Sequence, residues 1–465
     1  MTPPLDSLHR LREALGADAV LIGADVPERN RNDWSSQPPT RPLAVVRPVD
    51  AAGVAAALEA CAGAGLKAVP QGGLTGLCGG ARPEDGWVAI SLERMSGVQE
   101  IDAASSTMTV WAGTPLETVQ RAADDAGLFF ALDLGARGSC AIGGNLSTNA
   151  GGNRVIRYGM TRELVLGLEV VLPDGTVLTS LNKMLKNNAG YDLKQLFIGS
   201  EGTLGIVTRI VLRLHPKPAC TMAALCAVDG YARLVDLLKA ARAGLGPLLS
   251  AFEVMWPDYW QVVTERVGVR AALGPGHAQY VLIEAQGTDP LIDAPRFQAW
   301  LEGLMETGLL ADAAVAQSVA DVQGFWALRD ACAEFFPTLG PHISYDVSLP
   351  VGRMDDFVGR CKAALAVPSG GAAQSVFYGH IGDGNLHLVA WAEGKALEAQ
   401  PKPAMDAAIY GLVREFGGSI SAEHGIGTQK KKWLGHSRSE AEIALMRTLK
   451  AALDPHGVLN PGKVV

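Results

Sequence analysis

The chain of 465 residues has seven cysteines and no C-x-x-C pair among them. That absence excludes a disulfide framework, a cysteine-rich zinc site and an iron–sulfur centre together. Reduced thiols are expected, and with them a cytoplasmic setting. A basic surplus is also missing: 40 Lys and Arg stand against 48 Asp and Glu, for a formal net charge of −8. Nucleic-acid binders need a clustered excess of the opposite sign. The one compact basic run, Lys430-Lys431-Lys432, reads as a solvated face. No segment approaches the roughly 20 apolar residues of a membrane helix. The N-terminal MTPPLDSLHRLREALG has no apolar leader core, so neither a membrane span nor secretion is expected.

What is present is glycine, and it is concentrated. PQGGLTGLCGG (Pro70 to Gly80) follows a strand-like run, and GSCAIGGNLSTNAGGN (Gly138 to Asn153) sets small polar residues between glycines. Glycine lets backbone N–H groups approach an anion closely, so both segments are candidate phosphate cradles. The alternative is a pair of tight turns. Neither segment contains G-x-G-x-x-G or G-x-x-x-x-G-K-[ST], which leaves no support for a Rossmann fold or a P-loop.

Around these segments, strand-like runs (LAVV, LKAVP, WVAIS, TMTVWAG) alternate with a helical pattern, AAGVAAALEACAGAG. LVLGLEVVLPDGTVL and GTLGIVTRIVLRL close a first α+β region. HPKPA (His215 to Ala219) reads as a linker, because its prolines block helix and sheet continuation. A second α+β region follows, and a mainly helical stretch begins after EGKALEAQPKPAM. The expected division is 1–216, 217–405 and 406–465.

FYGHIGDGNLHLVAW places His380 and His387 around GDGN in an apolar run. A two-residue type I′ turn at Asp383-Gly384 pairs Gly382 with Asn385, Ile381 with Leu386 and His380 with His387. Directly opposed side chains stand roughly 5 Å apart at Cβ, within reach of a single metal ion. The alternative is a pair of hydrogen-bonded core histidines. Glu423 and His424, in a glycine-rich loop, favour the metal. Two histidines and a carboxylate are the composition of an open catalytic metal site. Zinc is the first candidate, with manganese, iron and cobalt also compatible.

VPQGGLTGLCGG, GGNLSTNAGGNRVIRYGMTRELVLGLEVVLPDG, KNNAGYDLKQLFIGSEGTLGIVT, GHIGDGNLH, SAEHGIG and LDPHGVLNPGK occur in order along the chain. Together they resemble the FAD-linked D-2-hydroxy acid dehydrogenases, the group of D-2-hydroxyglutarate dehydrogenase and the flavin D-lactate dehydrogenases. The resemblance implies an α+β protein of the vanillyl-alcohol oxidase type. Its parts are an FAD-binding domain of two α+β subdomains, a substrate domain with an antiparallel sheet, and a helical C-terminal segment packing back on the FAD domain.

By the same resemblance Pro70, Gly72, Gly73, Thr75, Gly76, Gly79 and Gly80 hold the FAD pyrophosphate. Gly138, Ser139, Gly143, Gly144, Asn149, Gly151, Gly152, Glu201, Gly202, Gly205, Ile206 and Asn460 line the rest of the cofactor. No histidine lies in either glycine segment, so FAD is expected without a covalent histidyl link. His380, His387 and Glu423 are the implied metal ligands, His424 the catalytic base and Arg329 the substrate arginine. On spacing alone, Arg329 is equally an exposed helix residue paired to Asp330 or Glu334.

Three positions depart from the D-2-hydroxyglutarate pattern. Ser344 replaces a lysine before YDVSLP, Val389 replaces an asparagine, and Ala333 replaces a threonine. His342, two residues from Ser344, is the candidate replacement cation. The expected substrate is therefore D-lactate, another D-2-hydroxy acid with a small or apolar side chain, or D-2-hydroxyglutarate. A metal-dependent hydrolase and a non-dehydrogenase flavin-fold protein are the alternatives. The electron acceptor (electron-transfer flavoprotein, quinone or oxygen) stays open, as does a homodimer.

Overall fold

The computed structural model describes residues 8–366 and 373–465, apart from 10 and 14. The N-terminal stretch read for a leader falls partly outside the described residues. Helices and sheets are mixed in an α+β arrangement, and the chain divides into two compact units. The first unit comprises the chain up to Gly152, Gly159–Lys217 and Glu423–Val465; the second comprises Asn153–Tyr158 and Pro218–Ala422. Helix Lys402–Glu415 packs on Met354–Ala366 inside the second unit. No helix among the described residues is long and apolar enough to cross a membrane.

Among the described residues, the first unit holds a four-stranded sheet, a five-stranded sheet and a two-stranded ribbon. Val20–Ile22, Ala44–Val46, Val88–Ser91 and Ala68–Gln71 lie in that order, with the last three parallel. The helix Ala51–Ala64 makes the crossover. Asp50 caps its start by accepting the Gly53 N–H at 2.8 Å, and Gly65, at φ 66°, ends it. The C-terminal segment joins the exposed edge: Ala68 N–H donates to Val458 O at 2.8 Å and Asn460 N–H to Ala68 O at 2.7 Å. The second sheet is antiparallel, in the order Val98–Asp102, Thr107–Trp111, Ile206–Arg213, Val165–Val171, Val177–Ser180. The expected linker is partly structured, since His215–Pro216 pairs with Leu128–Phe129. A proline is tolerated there because this two-stranded ribbon is all edge.

The second unit is built on one antiparallel sheet of seven strands: Asp312–Val315, Cys220–Val228, Gln279–Gly287, Leu249–Met255, Ala373–Gly379, Asn385–Ala392 and Ile343–Ser348. The middle strands Leu249–Met255 and Gln279–Gly287 are buried at every residue, so both their faces are covered. Phe325 and Leu328 of helix Val319–Asp330 close one face against Leu225, Leu282 and Val389.

In the first unit the two glycine segments meet backbone to backbone. A Cβ on Gly73 would stand 2.1 Å from Ser139 O, whereas one on Gly63, in the helix Ala51–Ala64, would meet nothing within 4 Å. Gly73→Ala is therefore expected to lower stability by about 1–3 kcal/mol or more. Gly63→Ala should raise it by about 0.5–1 kcal/mol through helix propensity. Thermal unfolding of both variants checks the contrast, and equal effects would contradict it.

Candidate active site

The glycine segments of the first unit border a cavity of about 640 Å³. Gly72, Gly73, Gly138 and Ser139 line it, with Asp33 and Trp34 opposite. Other expected cofactor residues gather close by. A Cβ on Gly80 would lie 3.3 Å from the Glu201 carboxylate, and one on Gly202 would lie 2.4 Å from the Pro70 ring. Asn460 Nδ2 donates to Gly80 O at 3.0 Å and to Glu201 O at 2.9 Å. Bare backbone on two walls of a cavity this size fits the phosphate-bearing part of a flavin dinucleotide.

Not all expected cofactor residues face that cavity. Gly143 packs on Ala112, Gly205 packs on Val170 and Phe197, and Ile206 is buried in a strand. Asn149 caps a short helix in the left-handed region and accepts the Arg162 N–H at 3.0 Å. Gly152, at φ 108°, gives its N–H to Glu423 Oε1 at 2.5 Å. Glu201 accepts from the N–H groups of Ile426 at 2.6 Å and Gly427 at 2.8 Å. Burial raises its carboxyl pKa, opposed by those two N–H donors and by Lys430 and Lys463. The basic run read as a solvated face is corrected at its first member: Lys430 is only 6% exposed.

The second unit carries a buried ionic group on its sheet. Glu253 comes from the middle strand Leu249–Met255 and is 1% exposed. Arg329, near the end of helix Val319–Asp330, donates from Nε to Glu253 Oε2 at 2.8 Å. His380 Nδ1 lies 2.8 Å from Glu253 Oε1, and its Nε2 faces Arg329 Nη2 at 2.9 Å. Burial pushes the Glu253 carboxyl up, but the neighbouring His380 and Arg329 outweigh it and bring the pKa down to about 2. Arg329 is thus buried, correcting its reading as an exposed helix residue, although Asp330 does pair with it at 3.3 Å.

The hairpin differs from the expected two-residue turn. Strand pairing stops at Gly379, and His387 stands opposite Tyr378 rather than His380. The turn is wider, with Asp383 N–H and Asn385 N–H both donating to His380 O, at 3.1 and 3.2 Å. Asp-Gly fixes the turn's tip but not its width. His380 still approaches His387, with ring centroids 5.3 Å apart. His387 Nδ1 lies 3.8 Å from Asp346 Oδ1. Asp346 is fully buried, and it accepts from Asn385 Nδ2 at 3.1 Å and the Ala422 N–H at 3.2 Å. A carboxylate thus stands within hydrogen-bond distance of His380 Nδ1, whereas Asp346 lies beyond that distance from His387.

His380 and His387 belong to the second unit, and Glu423 opens the last stretch of the first. His424 follows directly and is half-buried. Of the expected substrate residues, Ser344 is exposed on the edge strand and stands opposite Val389, which is buried in the apolar cluster. His342 lies before that strand begins, with Nδ1 2.9 Å from Gly340 O, so the two-residue strand argument does not place it on the face of Ser344.

These elements define an FAD-binding α+β protein with a buried histidine–carboxylate group in its second unit. A family profile described as FAD binding domain matches residues 42–180, and one described as FAD linked oxidases, C-terminal domain, matches 217–464. The chain is 41% identical to the mitochondrial D-2-hydroxyglutarate dehydrogenase of Bos taurus, over 93% of this chain and 78% of that one. It is also 41% identical to the D-2-hydroxyglutarate dehydrogenase of Xanthomonas citri pv. viticola, over 95% and 93%. A putative mitochondrial D-lactate dehydrogenase of Schizosaccharomyces pombe is 36% identical over 97% and 86%. In fold the chain is similar to p-cresol methylhydroxylase, with a TM-score of 0.81 at 16% identity, covering 100% and 97%. The chain belongs to the FAD-linked D-2-hydroxy acid dehydrogenase family, with the vanillyl-alcohol oxidase-type fold. It is an FAD-dependent dehydrogenase, which sets aside the metal-dependent hydrolase and the non-catalytic flavin-fold protein.

Sequence reasoning passed over Glu253, Asp346 and Glu284. Each is a single acid in an otherwise buried strand, and that was the available signal, because an ionised carboxylate is not buried without partners. Glu284 accepts from Ser250 Oγ at 2.8 Å, Arg154 Nε at 3.2 Å and Trp326 Nε1 at 3.0 Å.

Glu253→Ala would leave the Arg329 guanidinium buried without its counter-charge, at an expected cost of about 3–5 kcal/mol. The milder Glu253→Gln tests the charge alone. The folded pKa of Glu253 lies below its unfolded value of about 4.3. Its stabilisation is therefore complete above that value and is lost as the pH falls toward 2. Urea unfolding should show wild type more stable than Glu253→Gln at neutral pH, with the gap narrowing on acidification. A gap independent of pH would contradict the charge argument.

Proposed function

We propose that the chain oxidises a D-2-hydroxy acid of the D-2-hydroxyglutarate and D-lactate class to the 2-oxo acid, with His380, His387 and Glu423 holding a divalent ion, zinc first. The observation that carries this reading is the approach of the His380 and His387 rings, with centroids 5.3 Å apart, in a chain of this family. The names of the relatives support the substrate class.

When bound, the flavin accepts hydride from the substrate's α-carbon and the ion makes a coordinated hydroxyl more acidic. His424 takes the hydroxyl proton as the general base. Glu253 stands at the Nδ1 side of His380, which would leave Nε2 as the nitrogen to hold an ion. In the described arrangement Arg329 Nη2 faces His380 Nε2, so the guanidinium and the ion compete for that nitrogen. The planar fork of Arg329 would suit the substrate carboxylate. FAD is held without a covalent link. Supporting this, Cys78 in the first glycine segment is buried with Sγ 3.2 Å from Gly425 O, and Cys140 in the second is 2% exposed.

A specific observation favours a monocarboxylic substrate within the class. Val389 is buried among Tyr378, Val376 and Trp391, and Ser344 opposite it is exposed and short. Neither offers a cation to a second carboxylate.

His380→Ala and His387→Ala are expected to lose both metal and turnover while keeping flavin. His424→Ala should keep the metal and lose about a hundredfold or more in rate. Elemental analysis beside flavin absorbance decides, and normal metal occupancy in His380→Ala would refute the ligand assignment.

Dye-coupled turnover should give D-lactate or a similar monocarboxylate a higher kcat/KM than D-2-hydroxyglutarate. Ser344→Lys should shift the ratio toward the dicarboxylate by about ten- to a hundredfold, the value of one charge-assisted hydrogen bond. Strong wild-type preference for D-2-hydroxyglutarate would overturn the monocarboxylate reading alone.

A further inference from the structure

Lys430 is anomalous among the buried charges of the first unit. Its residue is 6% exposed, and its Nζ is buried with no hydrogen-bond partner. The other buried ammonium groups of that unit are satisfied. Lys463 Nζ donates to Gly80 O at 3.0 Å and Arg82 O at 2.6 Å, and Lys450 Nζ to Thr203 O at 2.8 Å and Leu459 O at 2.6 Å. A buried ammonium left without an acceptor costs several kcal/mol, so its retention calls for a ligand.

The surroundings of Lys430 say which ligand. Its backbone N–H donates to Ile426 O at 3.0 Å, which ties it to the loop Gly425–Thr428. That loop seats on the first glycine segment: Thr428 N–H donates to Cys78 O at 2.9 Å, and a Cβ on Gly427 would stand 2.0 Å from the same oxygen. The nearest acid to feel the charge is Glu201, whose two oxygens are already taken by Ile426 and Gly427. Lys430 thus follows the loop that seats on Cys78 and feels the charge of Glu201, beside residues that bind FAD by family resemblance, and no protein acceptor meets its Nζ.

We propose that the Lys430 ammonium is a direct ligand of a negatively charged group of the bound flavin dinucleotide. The group is either the pyrophosphate or the pyrimidine edge of the reduced ring, which share anionic oxygen or nitrogen as the acceptor. The inference rests on FAD binding by this family and not on the substrate or the metal. Two readouts separate the sources. Lys430→Met in the pyrophosphate case weakens FAD binding by about ten- to a hundredfold and leaves the flavin midpoint potential unchanged. In the pyrimidine case it lowers the midpoint potential, because the anionic reduced ring loses its counter-charge.

Apoprotein, prepared by removing FAD from the full chain, supplies the control against misfolding. The ammonium has no partner without FAD, so the Lys430→Met apoprotein should unfold at or above the wild-type temperature. The rise in unfolding temperature on adding FAD should be smaller than in wild type. Lys430→Arg should restore most of that rise. The proposal is overturned if Lys430→Met keeps both wild-type FAD affinity and midpoint potential. It is equally overturned if the variant's apoprotein is destabilised as much as its holoprotein, which would assign Lys430 a structural role.

Discussion

A carboxylate in the middle of a seven-stranded sheet cannot remain ionised unless polar partners are brought to it, and Glu253 has a guanidinium and an imidazole. Its strand is buried at every residue, so water provides no solvation from either face. Arg329 supplies charge from a covering helix, and His380 supplies a ring from the turn of the adjacent hairpin. One constraint therefore fixes a strand, a helix and a hairpin tip relative to each other. It does so with hydrogen bonds whose geometry is far narrower than that of apolar packing.

A second buried acid on the sheet, Asp346, lies 3.8 Å from His387 Nδ1 and accepts from Asn385 at the hairpin and from the backbone of Ala422. Imidazoles held from behind by carboxylates keep one tautomer and one orientation. A wide turn serves this better than the tight one, because it frees His380 from the pleat and lets its ring approach His387 while its Nδ1 stays on Glu253. The rest of that face is apolar and aromatic, with Tyr378 tilted against His387 and under the Arg329 guanidinium. Electrostatic interactions among the ionic residues are correspondingly stronger than they would be in water.

The first unit solves a different problem, that of bringing backbone close to a large anionic ligand. It does so by packing glycine segments against one another and against the C-terminal tail. The tail joins the edge of the parallel sheet, and Asn460 then ties Gly80 to Glu201. Here the buried acid is satisfied by main-chain N–H groups rather than by side chains. That leaves the neighbouring lysines available for other partners.

The sequence alone carried the α+β class and the cofactor family, because these depend on local runs, glycine clusters and ordered motifs. It did not determine the hairpin register, since Asp-Gly specifies a turn but not where pairing resumes. Nor did it place Lys430 inside, because a run of three lysines carries no mark of which one the C-terminal loop will bury. Glu253, Arg329 and His380 are 76 and 51 residues apart in sequence and meet only in the folded sheet. Tertiary structure alone decided their pairing, because the cost of burying a charge is set by the partners that folding brings to it.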